Sequence, residues 1–467
     1  MIDDPDPTTG NVEDLLSPFS FLLSPSFFYL APNSHLKINM ATTSTASGQK
    51  NSYVLSITII GILFFIFGFV TWLNATLIPF LRIACELSDF EAYFVTFSFY
   101  MSYFLLAIPS SWILHKTGFK NGMALGLFVM AIGSLIFIPA GQARSFGLFL
   151  TGLFIQGAGL SLLQTASNPY ITILGPIESA AKRISIMGIC NKTAGILSPL
   201  ILGFIVLKGA DEIEQKVATL TDMAEKTSIL NDMAGRVIIP YIIMAVVLIL
   251  LAVAVRYSPL QDIDTDKEDQ HVNEDLVHKK NVFQYPFFML GLITLFLYVG
   301  CEVIAADTVI NYAKSAGYPF QEAKFFASVT MVSMVVGYLL GIILIPRTLS
   351  QSKALGFSAI IGVLFALAAV IIKGNISVYM ISFLGFANAI MWPAIWPLAL
   401  EGLGKFTKIA SALLVMCIAG GATIPLLYGK LADIFSRQEA YWIVIPCYLF
   451  IIFYAFKGYK IGRPRLA

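Results

Sequence analysis

The strongest constraint on this chain is a series of twelve apolar stretches, each close to the ~20 residues that an α-helix needs to cross a bilayer. Inside a bilayer the backbone must satisfy its own hydrogen bonds, so each stretch is predicted to form a helix. The sequence therefore predicts an all-α polytopic membrane protein with twelve transmembrane helices. The predicted spans cover residues 54–81, 91–114, 120–140, 146–173, 184–207, 237–257, 286–312, 323–345, 354–373, 376–400, 408–430 and 440–457.

Composition agrees with this class of protein. Charged residues make up 12% of the chain, whereas soluble proteins carry about 25%. The net charge of +2 is too small to indicate a nucleic-acid partner. The five cysteines are scattered singly, a pattern that predicts neither a metal site nor a disulfide framework.

Two long connecting segments divide the chain. Residues 208–236 are charged and carry apolar side chains at helical spacing, which predicts an amphipathic surface helix outside the cytoplasm. Residues 258–281 are acidic and polar and follow the sixth span, so they are predicted to be a cytoplasmic linker. The linker would join two six-helix halves, 51–257 and 282–460, with a short tail at 461–467. Lys and Arg are more frequent in the short loops on the side of the two termini, which predicts that both termini are cytoplasmic.

Residues 1–50 are predicted to be a disordered extension, because they begin with an acidic segment and contain no stretch long enough to span a bilayer. Met40 opens a polar leader and is the expected natural start. Deleting residues 1–39 is expected to leave the yield of folded protein and its activity unchanged, as measured by size-exclusion chromatography and a functional assay. A loss of folded protein on deletion would show that the segment packs against the helices.

Polar side chains inside the apolar stretches mark candidate functional positions, since such groups are costly in hydrocarbon unless they face a bundle interior or water. Gln164 and Asn168 lie one helical turn apart and share a face of the fourth span. Asn74 in the first span is either a similar cavity residue or a contact between packed helices. Asn191 and Lys192 lie deep in the fifth span, where an ammonium must pair with a carboxylate, become neutral or face water.

The seventh span carries two acids. Asp307 and Asn311 share a face near the outer end, where Lys314 is expected to neutralise the aspartate. Glu302 lies deeper and points about 140° away from Asp307, at roughly 100° per residue. Its depth differs from that of Lys192 by a couple of helical turns, so contact between the two is not assumed, and a structural pair of Lys192 with a carboxylate such as Glu302 stays one of the two alternatives for this lysine.

The tenth span has the most specific aromatic pattern. Asn388, Trp392 and Trp396 are spaced four residues apart, and a proline follows each tryptophan. Tryptophan normally lies at the membrane interfaces, so a stripe in mid-membrane is typical of a platform for a sugar, with bulky packing between helices as the alternative. The histidines lie outside the middle of the spans, and the sequence has no hydrolase or metalloprotease motif, which argues against an enzyme.

Three segments are specific enough to indicate a family: residues 74–79 (NATLIP), residues 164–176 (QTASNPYITILGP) and residues 298–300 (YVG). Together with a weakly matching loop at 113–122, they resemble the sugar-transporting branch of the major facilitator superfamily that includes the fucose permease and the bacterial glucose/galactose transporters. The resemblance covers residues 53–457. It implies two pseudo-symmetric six-helix bundles that work by alternating access in a bacterial-type inner membrane.

Two positions depart from the fucose permease pattern. Ala75 stands where that permease has an aspartate, and Gln164 stands where it has a glutamate. Both acids are tied to proton coupling and substrate binding in that family member, so the resemblance does not carry its coupling chemistry over. Gln164 is typical of the glucose/galactose branch, some of whose members are sodium-coupled. Asn191 matches an asparagine that lines the permease cavity, and Lys192 and Glu302 occupy cavity-side positions of the family pattern.

The combined prediction is a secondary active transporter that imports a neutral monosaccharide, such as glucose or galactose, using a sodium or proton gradient and no bound cofactor. An uncoupled facilitator and a membrane sugar sensor are the alternatives, and a monomer in the lipid bilayer is expected. The predicted sugar contacts are Asn74, Gln164, Asn168, Asn191, Glu302, Asn388, Trp392 and Trp396, and the predicted ion-coupling residues are Lys192, Glu302 and Asp307.

Overall fold

A computed structural model describes residues 45–174, 180–260, 281–345, 348–403 and 406–463. By their contacts, residues 52–467 form one compact unit, and residues 1–51 are assigned to another. Of that other unit only residues 45–51 are described, as the beginning of the first helix. The predicted N-terminal extension up to residue 44, residues 261–280 of the predicted linker and residues 464–467 of the predicted tail lie outside the described residues.

The helices confirm the predicted all-α membrane fold. Eleven helical segments in the described ranges are long and apolar enough to cross a bilayer, and one of them has 54 residues, from Asp89 to Gln142. This segment contains the second and third predicted spans, which meet at Gly118, where the backbone turns with φ 74° and ψ 171°. Glycine adopts this conformation without the steric penalty that a Cβ atom brings. The count of twelve spans is therefore consistent with the structure.

The spans are numbered in chain order. Span 1 is Thr45–Trp72 with Asn74–Ala84, spans 2 and 3 are the two parts of Phe94–Gln142, span 4 is Phe146–Ile173, span 5 is Ala180–Val206, span 6 is Ile238–Tyr257, span 7 is Pro286–Asp307 with Val309–Ser315, span 8 is Phe320–Leu344, span 9 is Gln351–Ile371, span 10 is Asn375–Asn388 with Met391–Leu400, span 11 is Thr407–Met416 with Gly420–Ile434, and span 12 is Glu439–Ile443 with Val444–Phe456.

Several spans are interrupted near their middle. Span 1 breaks at Leu73, whose carbonyl accepts from both Thr76 N and Leu77 N at 3.0 Å. Span 10 breaks between Asn388 and Met391, just before Pro393, which cannot donate to the carbonyl four residues earlier. Irregular backbone at membrane depth is tolerated where it is buried in protein or lines a cavity. These breaks therefore point to the part of the bundle where a binding site is expected.

The segment at 208–236 differs from its prediction. It forms two helices, Ala210–Thr219 and Met223–Gly235, rather than one. Asp222 lies directly before the second helix and caps it, because its side chain accepts a hydrogen bond from Ala224 N at 2.8 Å. Aspartate favours this N-terminal capping position over a helix interior. The helix is therefore interrupted before Asp222, although the apolar side chains keep their helical spacing across the interruption. The two helices are called the insert below.

Span 1 and span 5 cross in close backbone contact at Gly68. A Cβ atom on Gly68 would lie 1.9 Å from the carbonyl oxygen of Asn191, so only glycine fits at this crossing. Small residues allow membrane helices to come into backbone contact. This contact fixes the position of Asn191 and Lys192, along the axis of the bundle, relative to the break in span 1.

Candidate functional site

A cavity of about 140 Å³ lies among the spans at the level of these breaks. Its walls come from both halves of the sequence, since they include residues of spans 1, 2, 4 and 5 and of spans 7, 8, 10 and 11. Six of the predicted site residues line it, namely Gln164, Asn168, Asn191, Lys192, Glu302 and Trp392. The fold thus brings together residues that are up to 228 positions apart in the chain (392 minus 164).

The two charged side chains of this lining contact each other. Lys192 Nζ lies 2.8 Å from Glu302 Oε1, and the two side chains are 7% and 10% exposed. Helical spacing left this contact open, because it gives no position of span 5 relative to span 7. Lys192 Nζ also lies 4.1 Å from the centre of the Trp72 ring, a favourable position for a cation over an aromatic face.

Asn191 is held by the broken span 1. Its Oδ1 accepts a hydrogen bond from Trp72 Nε1 at 3.2 Å, and its Nδ2 donates to the carbonyl of Phe64 at 3.4 Å. The indole and the amide therefore orient each other at the cavity wall. Trp72 is a site residue that the sequence prediction missed, although a tryptophan at mid-membrane depth is the same signal that identified span 10.

The aromatic side of the cavity is built around Trp392. Its ring is stacked on that of Trp396, with centroids 5.3 Å apart and an interplanar angle of 25°, and it lies 6.5 Å from the Tyr298 ring. Trp392 lines the cavity and Trp396 supports it as a stacking partner. Tyrosines 100, 103, 298 and 338 also line the cavity, as do Phe64 and Phe67, and sequence periodicity alone did not select them.

Three of the predicted sugar contacts, Asn74, Asn388 and Trp396, are not among the residues that line the cavity. Asn74 and Asn388 are fully buried. The Asn74 amide has no hydrogen-bond partner among the described residues. Asn388 Oδ1 accepts a hydrogen bond from Tyr448 Oη at 2.9 Å. The predicted stripe of Asn388, Trp392 and Trp396 is therefore divided. The four-residue spacing fails as a guide here because the helix is interrupted after Asn388.

The expected neutralisation of Asp307 by Lys314 is also wrong. The Lys314 ammonium pairs with Asp211 in the insert and lies 3.6 Å from Glu214. Asp307 is fully buried, and neither of its carboxylate oxygens has a hydrogen-bond partner within the described ranges. It interacts electrostatically with Lys192 and Glu302, so it belongs to the same charged cluster.

The end of the bundle that carries the insert is closed by contacts between the two halves of the sequence. Asp89 accepts from Arg437 Nε and Nη2 at 2.6 and 2.8 Å, and Asp433 accepts from the backbone of Asp89 and Phe90 at 3.1 and 3.0 Å. Arg437 Nη1 also donates to the carbonyl of Asn311 at 3.2 Å. We call Asp89, Asp433 and Arg437 the latch.

Residues 60–425 match the protein family described as the Major Facilitator Superfamily. The chain belongs to the major facilitator superfamily. It is 32% identical over 425 residues to a glucose/galactose transporter of Brucella abortus, covering 90% of this chain and 98% of that protein. It is 27% identical to the L-fucose-proton symporter of Escherichia coli, covering 89% and 95%.

A solved structure of a superfamily transporter, FucP, in the outward conformation superposes with a TM-score of 0.65 and 26% identity, covering 86% of this chain and 98% of that chain. The major facilitator fold is thereby confirmed. Membership of this superfamily makes the chain an integral membrane transporter and not an enzyme.

Proposed function

We propose that this protein is a secondary active transporter that imports a neutral monosaccharide, a glucose- or galactose-like hexose, by alternating access and coupled to a cation gradient. The relatives named as glucose/galactose transporters and as fucose-proton symporters support a sugar as the substrate. In the proposed orientation both termini are cytoplasmic and the insert faces the outside.

One observation carries the proposal: the cavity is polar and aromatic but has no net charge. Lys192 and Glu302, the charged side chains of the described lining, are paired with each other. The amides of Gln164, Asn168 and Asn191 can donate to and accept from hydroxyl groups. The flat face of Trp392 suits the apolar C–H face of a pyranose ring. A charged substrate would find no uncompensated partner at this site.

Coupling to an ion then depends on the ionisable cluster of Lys192, Glu302 and Asp307. The departures at Ala75 and Gln164 remove the two acids of the fucose permease pattern, and the buried carboxyl groups among the described residues are those of Glu302 and Asp307. Sodium and protons are both compatible with carboxylates at this position.

Counterflow in proteoliposomes tests the proposal. Vesicles loaded with unlabelled glucose, galactose or fucose are expected to take up the labelled sugar transiently, whereas a phosphorylated hexose is not expected to exchange. Imposed sodium and pH gradients, applied separately, then distinguish coupled accumulation from facilitated exchange. Binding without exchange would identify a sensor, and exchange of the anionic sugar alone would contradict the neutral-substrate proposal.

Trp392→Ala and Gln164→Ala are each expected to weaken sugar binding by about 1–3 kcal/mol, because each removes a stacking face or a buried hydrogen bond. Calorimetric titration of purified protein measures the affinity. Trp112→Ala is the matched control, since this tryptophan is 67% exposed on the outside of span 2. Unchanged affinity in both cavity variants would assign Trp392 and Gln164 to packing.

A further inference from the structure

The buried charged cluster contains one cation and two carboxyl groups. Lys192 and Glu302 form a direct ion pair, and Asp307 interacts electrostatically with both of them. One ammonium can neutralise one carboxylate. Two carboxyl groups that share such a site cannot both ionise at low cost, so the second acid needs another source of neutralisation.

Of the two carboxyl groups, Asp307 is the one that has no hydrogen-bond partner among the described residues. Its side chain is fully buried, and neither oxygen accepts a hydrogen bond from any described residue. An isolated buried carboxylate is strongly disfavoured, and such groups become neutral instead. A proton removes the charge without requiring donor groups around the carboxylate. Tyr100 of span 2 also interacts electrostatically with Asp307, and its buried hydroxyl has no hydrogen-bond partner among the described residues.

Asp307 is also placed between the cavity and the latch. Tyr100 and Glu302 line the cavity, whereas Asn311, one helical turn beyond Asp307, accepts a hydrogen bond from Arg437 of the latch. Opening the latch side would therefore bring water close to this carboxyl group, and opening the opposite side would hydrate the cavity next to Tyr100. A group in this position can exchange a proton with either side in turn.

Resting on the proposed function, we infer that Asp307 is the proton-carrying residue of this transporter and that the coupling ion is H⁺. The carboxylate takes up a proton from water as the latch side closes, which forms the O–H bond. After the cavity opens on the other side, that bond breaks and the proton passes to cavity water. The negative charge left on Asp307 is then solvated by that water, while Lys192 stays paired with Glu302.

Asp307→Asn tests this inference, because the amide imitates the neutral carboxyl but cannot release a proton. The variant is expected to retain sugar counterflow and to lose both accumulation driven by a pH gradient and sugar-induced proton uptake. Glu322→Gln, which changes an exposed carboxylate of span 8, is the control and is expected to behave as the unmodified protein. Proton-driven accumulation by Asp307→Asn would overturn the inference.

Measurements on the unmodified protein keep the inference testable if the variant does not fold. Sugar counterflow accompanied by proton uptake supports it. Counterflow with accumulation that follows sodium alone, at clamped pH, contradicts the inference while the sugar-transport proposal stands. Absence of counterflow for every neutral hexose contradicts the proposed function itself, so the two failures are distinguishable.

Discussion

Lys192→Ala is expected to destabilise the folded protein by about 3–5 kcal/mol, because it leaves the carboxylate of Glu302 buried without its partner. The ammonium lies 2.8 Å from Glu302 Oε1 and against the face of Trp72, so the substitution removes both contacts together. Thermal unfolding in detergent, followed by tryptophan fluorescence or by size-exclusion chromatography after heating, measures the loss.

The second substitution Glu302→Gln is expected to restore much of the lost stability, since it removes the unpaired charge while keeping the shape of the side chain. Lys216→Ala is the control: its ion pair with Glu225 is about half exposed, and exposed pairs contribute little to stability. The double variant should fold but show altered transport, because the cavity then lacks its charged pair. A stable Lys192→Ala protein with full ion-driven accumulation would exclude both a structural and a coupling role for this lysine.

Arg437→Ala is expected to shift the protein towards a form that is open on the side of the insert. Arg437 binds the carboxylate of Asp89, in the other half of the sequence, through two nitrogens, and the carbonyl of Asn311, in its own half, through a third. Asp89 would then lose the cation that its carboxylate binds. Since the pair is 18% and 10% exposed, we expect a loss of roughly 1–3 kcal/mol for the closed form, less than for a fully buried pair.

Each 1.4 kcal/mol changes the ratio of two forms about tenfold, so the shift is large enough to measure. Hydrogen–deuterium exchange of residues 85–92 and 435–441 is expected to accelerate in Arg437→Ala. Arg437→Lys should give an intermediate result, because lysine keeps the charge but cannot form the same two-pronged contact. Exchange rates equal to those of the unmodified protein would show that the latch does not stabilise the closed form.

Much of the fold can be read directly from the sequence. The bilayer imposes a local rule, about 20 apolar residues for each helix, and the twelve predicted spans follow from it without knowledge of any contact. The same rule makes a polar side chain in mid-span conspicuous. Gln164, Asn168, Asn191, Lys192, Glu302 and Trp392 were selected on this basis or from the family resemblance, and all of them line the cavity.

The partners of these residues depend on tertiary structure. Spacing along one helix gives directions relative to that helix, but it contains neither the tilt of a neighbouring helix nor the position of a break. For this reason spacing alone left open whether Lys192 and Glu302 are in contact, as the structure shows them to be. The break in span 10 likewise directs Asn388 towards Tyr448 and leaves Trp392 at the cavity. The insert, whose fold depends on helix capping, provides the aspartate that Lys314 binds. The apolar pattern thus sets which segments enter the membrane, whereas packing between helices decides which charges meet there.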